Sequence, residues 1–235
     1  VLPVASIEAT EVLAETAPHT AAGRGTCVGR PLPGVQVAVL PPGAAPRADG
    51  SLPALAADEV GELVATGPTV TRSYDRLPEA TARAKLDASA SPGSPTLRWH
   101  RMGDAGYRDA SGRLWFLGRI AERVQTADGP LDTEPVEGIV NAVPGVFRSA
   151  LLAFGEPGQQ HPGLALELAD DADRAALAVA LKASESLRQA LQGRACPVFL
   201  VPAMPVDVRH NAKIHRLSLA RDLATATPWL TLESR

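Results

Sequence analysis

The sequence has little that would support a disulfide framework, a membrane helix or a broad nucleic-acid interface. Its 235 residues include only two cysteines, Cys27 and Cys196. They are far apart and lack CxxC spacing, which favours reduced structural thiols in a cytoplasmic protein. No apolar run approaches the roughly 20 residues that a membrane helix needs, and no signal-peptide layout opens the chain. The net charge of −3 gives no support for nucleic-acid binding.

Histidine offers no clear metal site. His100, His161, His210 and His215 are scattered along the chain. The spacing of the last two fits neither i,i+3 nor i,i+4 on a helix, which a paired metal ligand would need. We therefore predict no metal held by histidine.

The composition is that of a globular protein, with 45% hydrophobic and 21% charged residues. This length suits one or two domains. The chain opens on Val1-Leu2-Pro3-Val4 rather than on methionine, so we expect a fragment of a longer protein.

Turn residues and hydrophobic periodicity predict an α+β fold. In the first half we expect loops at 25–34 and 89–96, strands at 35–40 and 61–66, and a helix at 78–88. The second half favours a helix at 133–141 capped by Thr133, and a long helix at about 171–192 with Leu177, Leu181, Leu187 and Leu191 on one face. Strands are expected at 148–154, 164–168 and 197–201, which completes a strand–strand–helix–strand unit.

The stretch from Arg98 to Arg119, RWHRMGDAGYRDASGRLWFLGR, carries the most readable chemistry. Asp104 is expected in a turn of small residues, and the segment from Asp109 to Gly112 supplies the turn to a returning strand. A turn-bound carboxylate accepts two hydroxyl hydrogen bonds, and a guanidinium at a strand end offers a planar set of donors. The pair suits a diol or a phosphate. The alternative is an exposed hairpin with two solvated charges.

The motifs GDAGY and GRLWFLGR resemble the adenylate-forming superfamily of acyl-CoA synthetases, luciferases and peptide-synthetase adenylation domains. GTCVGRPLPGVQVAVL and GELVATGPTVTRSYDRLPEAT are similar to further segments of that family, with Ser73 where glycine is usual. The resemblance implies that Asp104 holds the ribose hydroxyls of ATP. It implies that Arg119 contacts the nucleotide and lies at the hinge between a large domain and a small mobile one.

A lysine near the end of the chain completes the resemblance. HNAKI, residues 210–214, is similar to the family's P-(x)n-GK loop, although Asn211-Ala212 replaces the common Ser-Gly pair. Lys213 falls at the family's catalytic lysine. A compact cation can stabilise the charge that accumulates while a carboxylate joins the α-phosphate and pyrophosphate leaves. The alternative is a solvated surface lysine.

Three positions depart from the pattern of CoA-using relatives. Ala121 stands at the usual charged hinge position, Gln125 where lysine is frequent, and Leu131 near a common arginine. These positions serve thioester formation in relatives, so their loss makes CoA transfer less expected.

The resemblance is strongest to the olefin β-lactone synthetases, through VLPVASIE, WHRMGDAGY, LWFLGR and EPVEGIVNAVPGVFRSAL. It implies an ATP- and Mg²⁺-dependent ligase that turns a long-chain 2-alkyl-3-hydroxy acid into a β-lactone, with other hydrocarbon-pathway enzymes as possible partners. Residues 1–118 would finish the large domain with its distorted β-barrel subdomain, and residues 119–235 would form the small α+β lid. The family's phosphate loop and acyl pocket lie upstream, so the fragment alone is expected to be inactive. A fatty acyl-CoA synthetase and a non-enzymatic α+β binding module are the alternatives.

Overall fold

The computed structural model describes residues 3–207 and 210–234, and for residues 210–212 only the backbone. Its contacts divide the chain into two compact units. The first takes in the described residues up to Ala17 together with Thr26–Ile120, and the second takes in Pro18–Gly25 and the described residues from Ala121 onward. The assignment of 1–118 and 119–235 to two domains of an enzyme stays a prediction. Within the described ranges, no helix has both the length and the apolar character needed to cross a membrane.

A curled antiparallel sheet forms the first unit. Its strands are β1 (Ala5–Ser6), β2 (Thr26–Pro31), β3 (Gln36–Leu40), β4 (Gly61–Thr66), β5 (Lys85–Ser89), β6 (Thr96–Arg108) and β7 (Leu114–Arg119). They follow the order β1-β2-β7-β6-β4-β3, and β5 pairs with β6. The helical segments in this part of the chain are α1 (Ala9–Glu11), a π-helical turn (Val12–Thr16), α2 (Ala17–Ala21) and α3 (Pro78–Ala84).

The predicted strands at 35–40 and 61–66 are confirmed, because their apolar side chains pack into the core of this sheet. Two other predictions are wrong. Residues 26–31 form a strand rather than a loop, since they pair with β7. The helix predicted at 78–88 ends at Ala84, because Lys85 begins a strand that pairs with β6. In both places pairing with another strand overrides the local preference.

The second unit is a four-stranded mixed sheet with helices and two small hairpins. Its strands are β8 (Val124–Thr126), β9 (Gly129–Leu131), β10 (Val146–Phe154), β11 (His161–Leu168), β12 (Cys196–Leu200), β13 (Val206–Asp207), β14 (His210–Ile214) and β15 (Leu230–Leu232). Its helices are α4 (Thr133–Asn141), α5 (Arg174–Ala183), α6 (Glu185–Ala190) and α7 (Arg216–Leu223), and Ile120–Glu122 forms a 3-10 turn. The sheet order is β10-β11-β12-β15, with β11 and β12 parallel.

The long helix predicted at 171–192 is two helices in the structure. Asp173 caps α5 by accepting hydrogen bonds from two backbone N–H groups, and Ser184 interrupts the run and caps α6. The leucines predicted to share a face are all buried in one core. The N-cap of α4 is Asp132, so the prediction that Thr133 caps it is wrong by one residue. The strand–strand–helix–strand order and the α+β fold class are confirmed.

Candidate functional site

Asp104 and Arg119 lie opposite each other on neighbouring antiparallel strands. They are register partners of β6 and β7, and Nη1 of Arg119 is 2.8 Å from Oδ1 of Asp104. The same nitrogen donates a hydrogen bond of 2.9 Å to the carbonyl oxygen of Met102. The Asp104 side chain is largely buried, whereas that of Arg119 is 57% exposed. The two side chains therefore form an ion pair whose cationic end is open to solvent.

The prediction that Asp104 lies in a turn is wrong, because this residue is inside β6. The strand is kinked there. Gly103 has a φ of +70°, a left-handed conformation that favours glycine, and the pairing with β7 shifts between Ala105 and Gly106. A Cβ built on Gly103 would meet no atom within 4 Å. The space that a side chain at position 103 would occupy is thus open.

The carboxylate of Asp104 has unused capacity to accept hydrogen bonds. Burial raises its pKa, and Arg119 opposes that rise. Oδ1 is buried, and in the part of the chain that the structure describes no donor reaches it at a hydrogen-bonding angle, despite the nearby Nη1. A buried acceptor left in this state costs free energy until a donor arrives. Paired hydroxyl groups would supply two donors at once.

A turn anchored by Asp109 fixes the register of this pair. Oδ1 of Asp109 accepts hydrogen bonds of 2.9 Å from the backbone N–H groups of Ser111 and Arg113. Oδ2 accepts one of 3.0 Å from Nε1 of the buried Trp115. These bonds hold β6 and β7 in one alignment, and Asp104 and Arg119 are opposed as a result. The turn predicted at 109–112 is confirmed.

Lys213 lies on β14 in the second unit, and its side chain is exposed. It precedes α7, and its strand pairs with β13. The predicted match of Asn211 and Ala212 to the family's loop concerns side chains outside the described part of the chain. Asp104 and Arg119 belong to the first unit, so the convergence of Lys213 with them stays a prediction.

Sequence reasoning missed a cluster of charges next to Lys213. Nη1 of Arg216 is 2.6 Å from a carboxylate oxygen of Glu122, and Nη2 is 2.9 Å from both carboxylate oxygens of Glu137. Glu137 also accepts a hydrogen bond of 2.8 Å from the backbone N–H of Leu151. The available signal was Glu137 itself, an acid among buried apolar residues on the inner face of α4. A cavity of about 660 Å³ borders this cluster and is lined by both Lys213 and Arg216.

The three positions that depart from CoA-using relatives have distinct environments. Leu131 is 1% exposed and packs in the main core of the second unit. Gln125 is half-buried, and its backbone N–H and carbonyl are both hydrogen-bonded to Gln160. Ala121 lines the same cavity as Lys213. Leu131 is thus a structural residue, without access to a ligand.

Among the described residues, no three His, Cys, Asp or Glu side chains are grouped so as to hold a metal ion. His100 is half-buried, and its Nδ1 is 3.2 Å from the carbonyl oxygen of Ala84. Burial lowers the pKa of His100, and Lys85 lowers it further.

Comparison with known proteins identifies close relatives. The chain is 49% identical over 222 residues to an olefin β-lactone synthetase of Stenotrophomonas maltophilia, covering 93% of this chain and 40% of that protein. It is 45% identical over 224 residues to the corresponding synthetase of Xanthomonas campestris pv. campestris, with the same coverage. An acyl-CoA ligase of Cochliobolus lunatus is more distant, with 28% identity over 57% of this chain and 34% of that protein.

The fold has relatives among solved structures. ATP-bound MatB from Rhodopseudomonas palustris superimposes with a TM-score of 0.63 at 22% identity, covering 85% of this chain and 36% of that one. No protein-family model matches the chain. The chain spans 40% of the length of the two synthetases. Over nearly its whole length it is thus a homologue of the olefin β-lactone synthetases, and it has the fold of the adenylate-forming enzymes.

Proposed function

We propose that this chain is part of an ATP-dependent ligase that converts a long-chain 2-alkyl-3-hydroxy acid into a β-lactone. The observation that carries the proposal is the 49% identity to an olefin β-lactone synthetase over 93% of the chain. The paired Asp104 and Arg119 support it, because a carboxylate that can accept hydrogen bonds from a diol lies beside a guanidinium that can donate them to an anion. A cytoplasmic location and association with other enzymes of hydrocarbon synthesis belong to the same proposal.

In this proposal Asp104 accepts hydrogen bonds from the two ribose hydroxyls of ATP. Its buried Oδ1, which lacks an aligned donor, fits that role. Arg119 holds the nucleotide through its exposed guanidinium, which donates in a plane and stays charged. Mg²⁺ would accompany the phosphates, as it commonly does with nucleotides, and we assign no residue of this chain to it.

Residues 1–118 act as the end of the large domain and residues 119–235 as a mobile lid that carries Lys213. The substrate carboxylate attacks the α-phosphorus of ATP, and pyrophosphate leaves. Lys213 stabilises the negative charge that develops in this step, so its contribution is larger in the transition state than in the ground state. The 3-hydroxyl oxygen then attacks the activated carbonyl carbon, its proton is lost to solvent, and AMP leaves. Because the nucleophile is part of the same molecule, its effective concentration is high.

Lactone formation is favoured over CoA transfer by the environment of Leu131. Leu131 lies near the position at which CoA ligases often carry arginine or another polar residue, and here it packs in a hydrophobic core. The second candidate, a fatty acyl-CoA synthetase, is supported by the more distant similarity to an acyl-CoA ligase.

The test uses the intact protein that contains this chain, ATP, Mg²⁺ and a 2-alkyl-3-hydroxy acid, with products identified by mass spectrometry. We expect β-lactone, AMP and pyrophosphate without CoA. A matched acid that lacks the 3-hydroxyl should release pyrophosphate but yield no lactone. A CoA thioester as product when CoA is added, with no β-lactone in its absence, would support the acyl-CoA synthetase instead. No ATP consumption with either acid would leave the binding-module alternative.

A further inference from the structure

Arg216 connects three separate segments of the second unit. It is the first residue of α7 and lies three residues after Lys213. Its guanidinium bonds to Glu122, which follows Arg119 by three residues, and to Glu137 in the middle of α4. The side chain of Arg216 thus connects the start of α7, just after the strand of Lys213, to the 3-10 turn of Glu122 and to α4.

The backbone between Lys213 and Arg216 is held as tightly as the side chain. Ile214 is buried in a core with Phe154 and Phe199. The backbone N–H of His215 donates a hydrogen bond of 2.8 Å to the carbonyl oxygen of Pro205. Lys213 itself makes no described hydrogen bond or ion pair, so its orientation depends on these neighbours. The residues that fix the backbone of Lys213 are therefore the ones that follow it directly in the chain.

The charges in the cluster depend on one another. Glu137 is 6% exposed, and burial raises its pKa to about 7, although Arg216 opposes the rise. Removing Arg216 would leave a buried carboxylate without its cation, which is strongly unfavourable. Nε of Arg216 is buried and has no partner among the described residues. A costly arrangement at this place indicates a requirement for fixed geometry, because a hydrophobic contact would hold the fold as well.

We propose that Arg216, clamped by Glu122 and Glu137, is a positioning residue that sets the direction of Lys213 for adenylate formation. This inference rests on the function proposed above for Lys213. Arg216 acts through the lysine and does not touch the reacting atoms. Its planar fork places Nη1 on Glu122 and Nη2 on Glu137 at the same time, and the single ammonium nitrogen of lysine cannot reproduce that geometry.

The test is a double-mutant cycle in the intact protein, with adenylate formation followed by ATP–pyrophosphate exchange. Arg216→Lys should lower kcat about 10- to 100-fold, the size of loss expected from misplacing a reacting group, and leave KM for ATP within about twofold. In a Lys213→Ala background the same substitution should cause no further loss. Arg221→Ala, an exposed arginine of the same helix, is the matched control and should leave kcat unchanged.

Two results would overturn the inference. One is an equal loss from Arg216→Lys in the presence and absence of Lys213. The other is a change in KM with kcat unaltered. Full activity of Lys213→Ala alone would instead remove the proposed function of the lysine, so the two failures are distinguishable. If Arg216→Lys unfolds the protein, Glu122→Gln, at the more exposed end of the clamp, takes its place under the same criteria.

Discussion

Trp115 donates a hydrogen bond of 3.0 Å from its indole nitrogen to Oδ2 of Asp109, and the donor ring is almost fully buried. This bond joins the first residue after β6 to the second residue of β7. The turn is therefore fastened to the core of the sheet as well as to itself.

Replacing Asp109 with alanine should destabilise the first unit by roughly 3 kcal/mol, since the indole N–H and two backbone N–H groups lose their acceptor. Burial alone would raise the pKa of Asp109, but the hydrogen bonds from Trp115 and from the turn hold it well below its usual range. Because the pKa is lowered in the folded state, ionised Asp109 stabilises the fold at pH values above its unfolded-state pKa of about 4. This stabilisation is lost as the pH falls below that value. Urea denaturation at pH 7 and pH 3 measures both effects. An unchanged midpoint at pH 7 would contradict this role.

Asp104→Asn should have opposite effects on stability and on nucleotide binding. Burial raises the pKa of Asp104, so ionising this group costs folding free energy as the pH rises through its titration, and the neutral amide should raise the melting temperature at pH 7. The charged acceptor for the ribose is lost, which should weaken ATP binding about 10- to 100-fold. Calorimetry and ATP titration of the intact protein measure the two effects. Tighter binding with lower stability would be the contrary result.

Glu137→Gln should change how stability depends on pH. The pKa of Glu137 is raised by burial to about 7. The stabilisation of the fold by protonated Glu137 is therefore fully present at pH values below the unfolded-state pKa. It is lost as the pH rises towards 7, by up to roughly 3 kcal/mol. The variant lacks this titration, so the free energy of unfolding of the wild type relative to the variant should fall between pH 4.5 and 7. Denaturation curves across that range test it, and parallel profiles would contradict it.

Leu131→Arg should not create CoA activity. Leu131 is 1% exposed, and an unpaired cation in that core should destabilise the second unit by about 3 to 5 kcal/mol. The half-buried Gln125→Lys is the control and should be tolerated. Thermal unfolding of both variants distinguishes them. A folded Leu131→Arg protein with new CoA dependence would show that the side chain can reach a ligand.

Lys213→Ala should lower the rate of adenylate formation by about 10²- to 10³-fold, the usual loss when one charge-stabilising donor is removed. The exposed side chain contributes little to packing, so the melting temperature should stay unchanged. ATP–pyrophosphate exchange of the intact protein and circular dichroism are the measurements. A wild-type exchange rate would remove Lys213 from the mechanism.

Local signals in the sequence predicted those elements that depend on local chemistry. The turn at Asp109, strands β3 and β4, helix α4 and the shared leucine face all follow from turn residues and periodicity. The resemblance, and not the local pattern, predicted that Asp104 and Arg119 act together, since the local pattern also allowed an exposed hairpin with two solvated charges.

Features that depend on which segments meet in the folded chain, or on how a helix is capped, could not be predicted from periodicity. Lys85 begins a strand because β6 lies beside it. The leucine pattern continues across Ser184 and hid the break there, although serine is a preferred N-cap residue and caps α6. The bond between Arg216 and Glu137 joins residues 79 positions apart, and no local pattern reports which buried acid meets which cation. The charged cluster around Arg216, next to Lys213, was therefore the part of the candidate site that could not be predicted.

The facing arrangement of Asp104 and Arg119 also restricts how this gene can change length. Side chains alternate between the two faces of a strand, so inserting or deleting one codon within either strand would send one partner to the opposite face. Extra codons between Ala110 and Gly112 would change the spacing between Asp109 and the backbone N–H groups of Ser111 and Arg113, whose bonds hold this alignment. Descendants of this hairpin should therefore keep their codon number in the tip as well as in the strand segments.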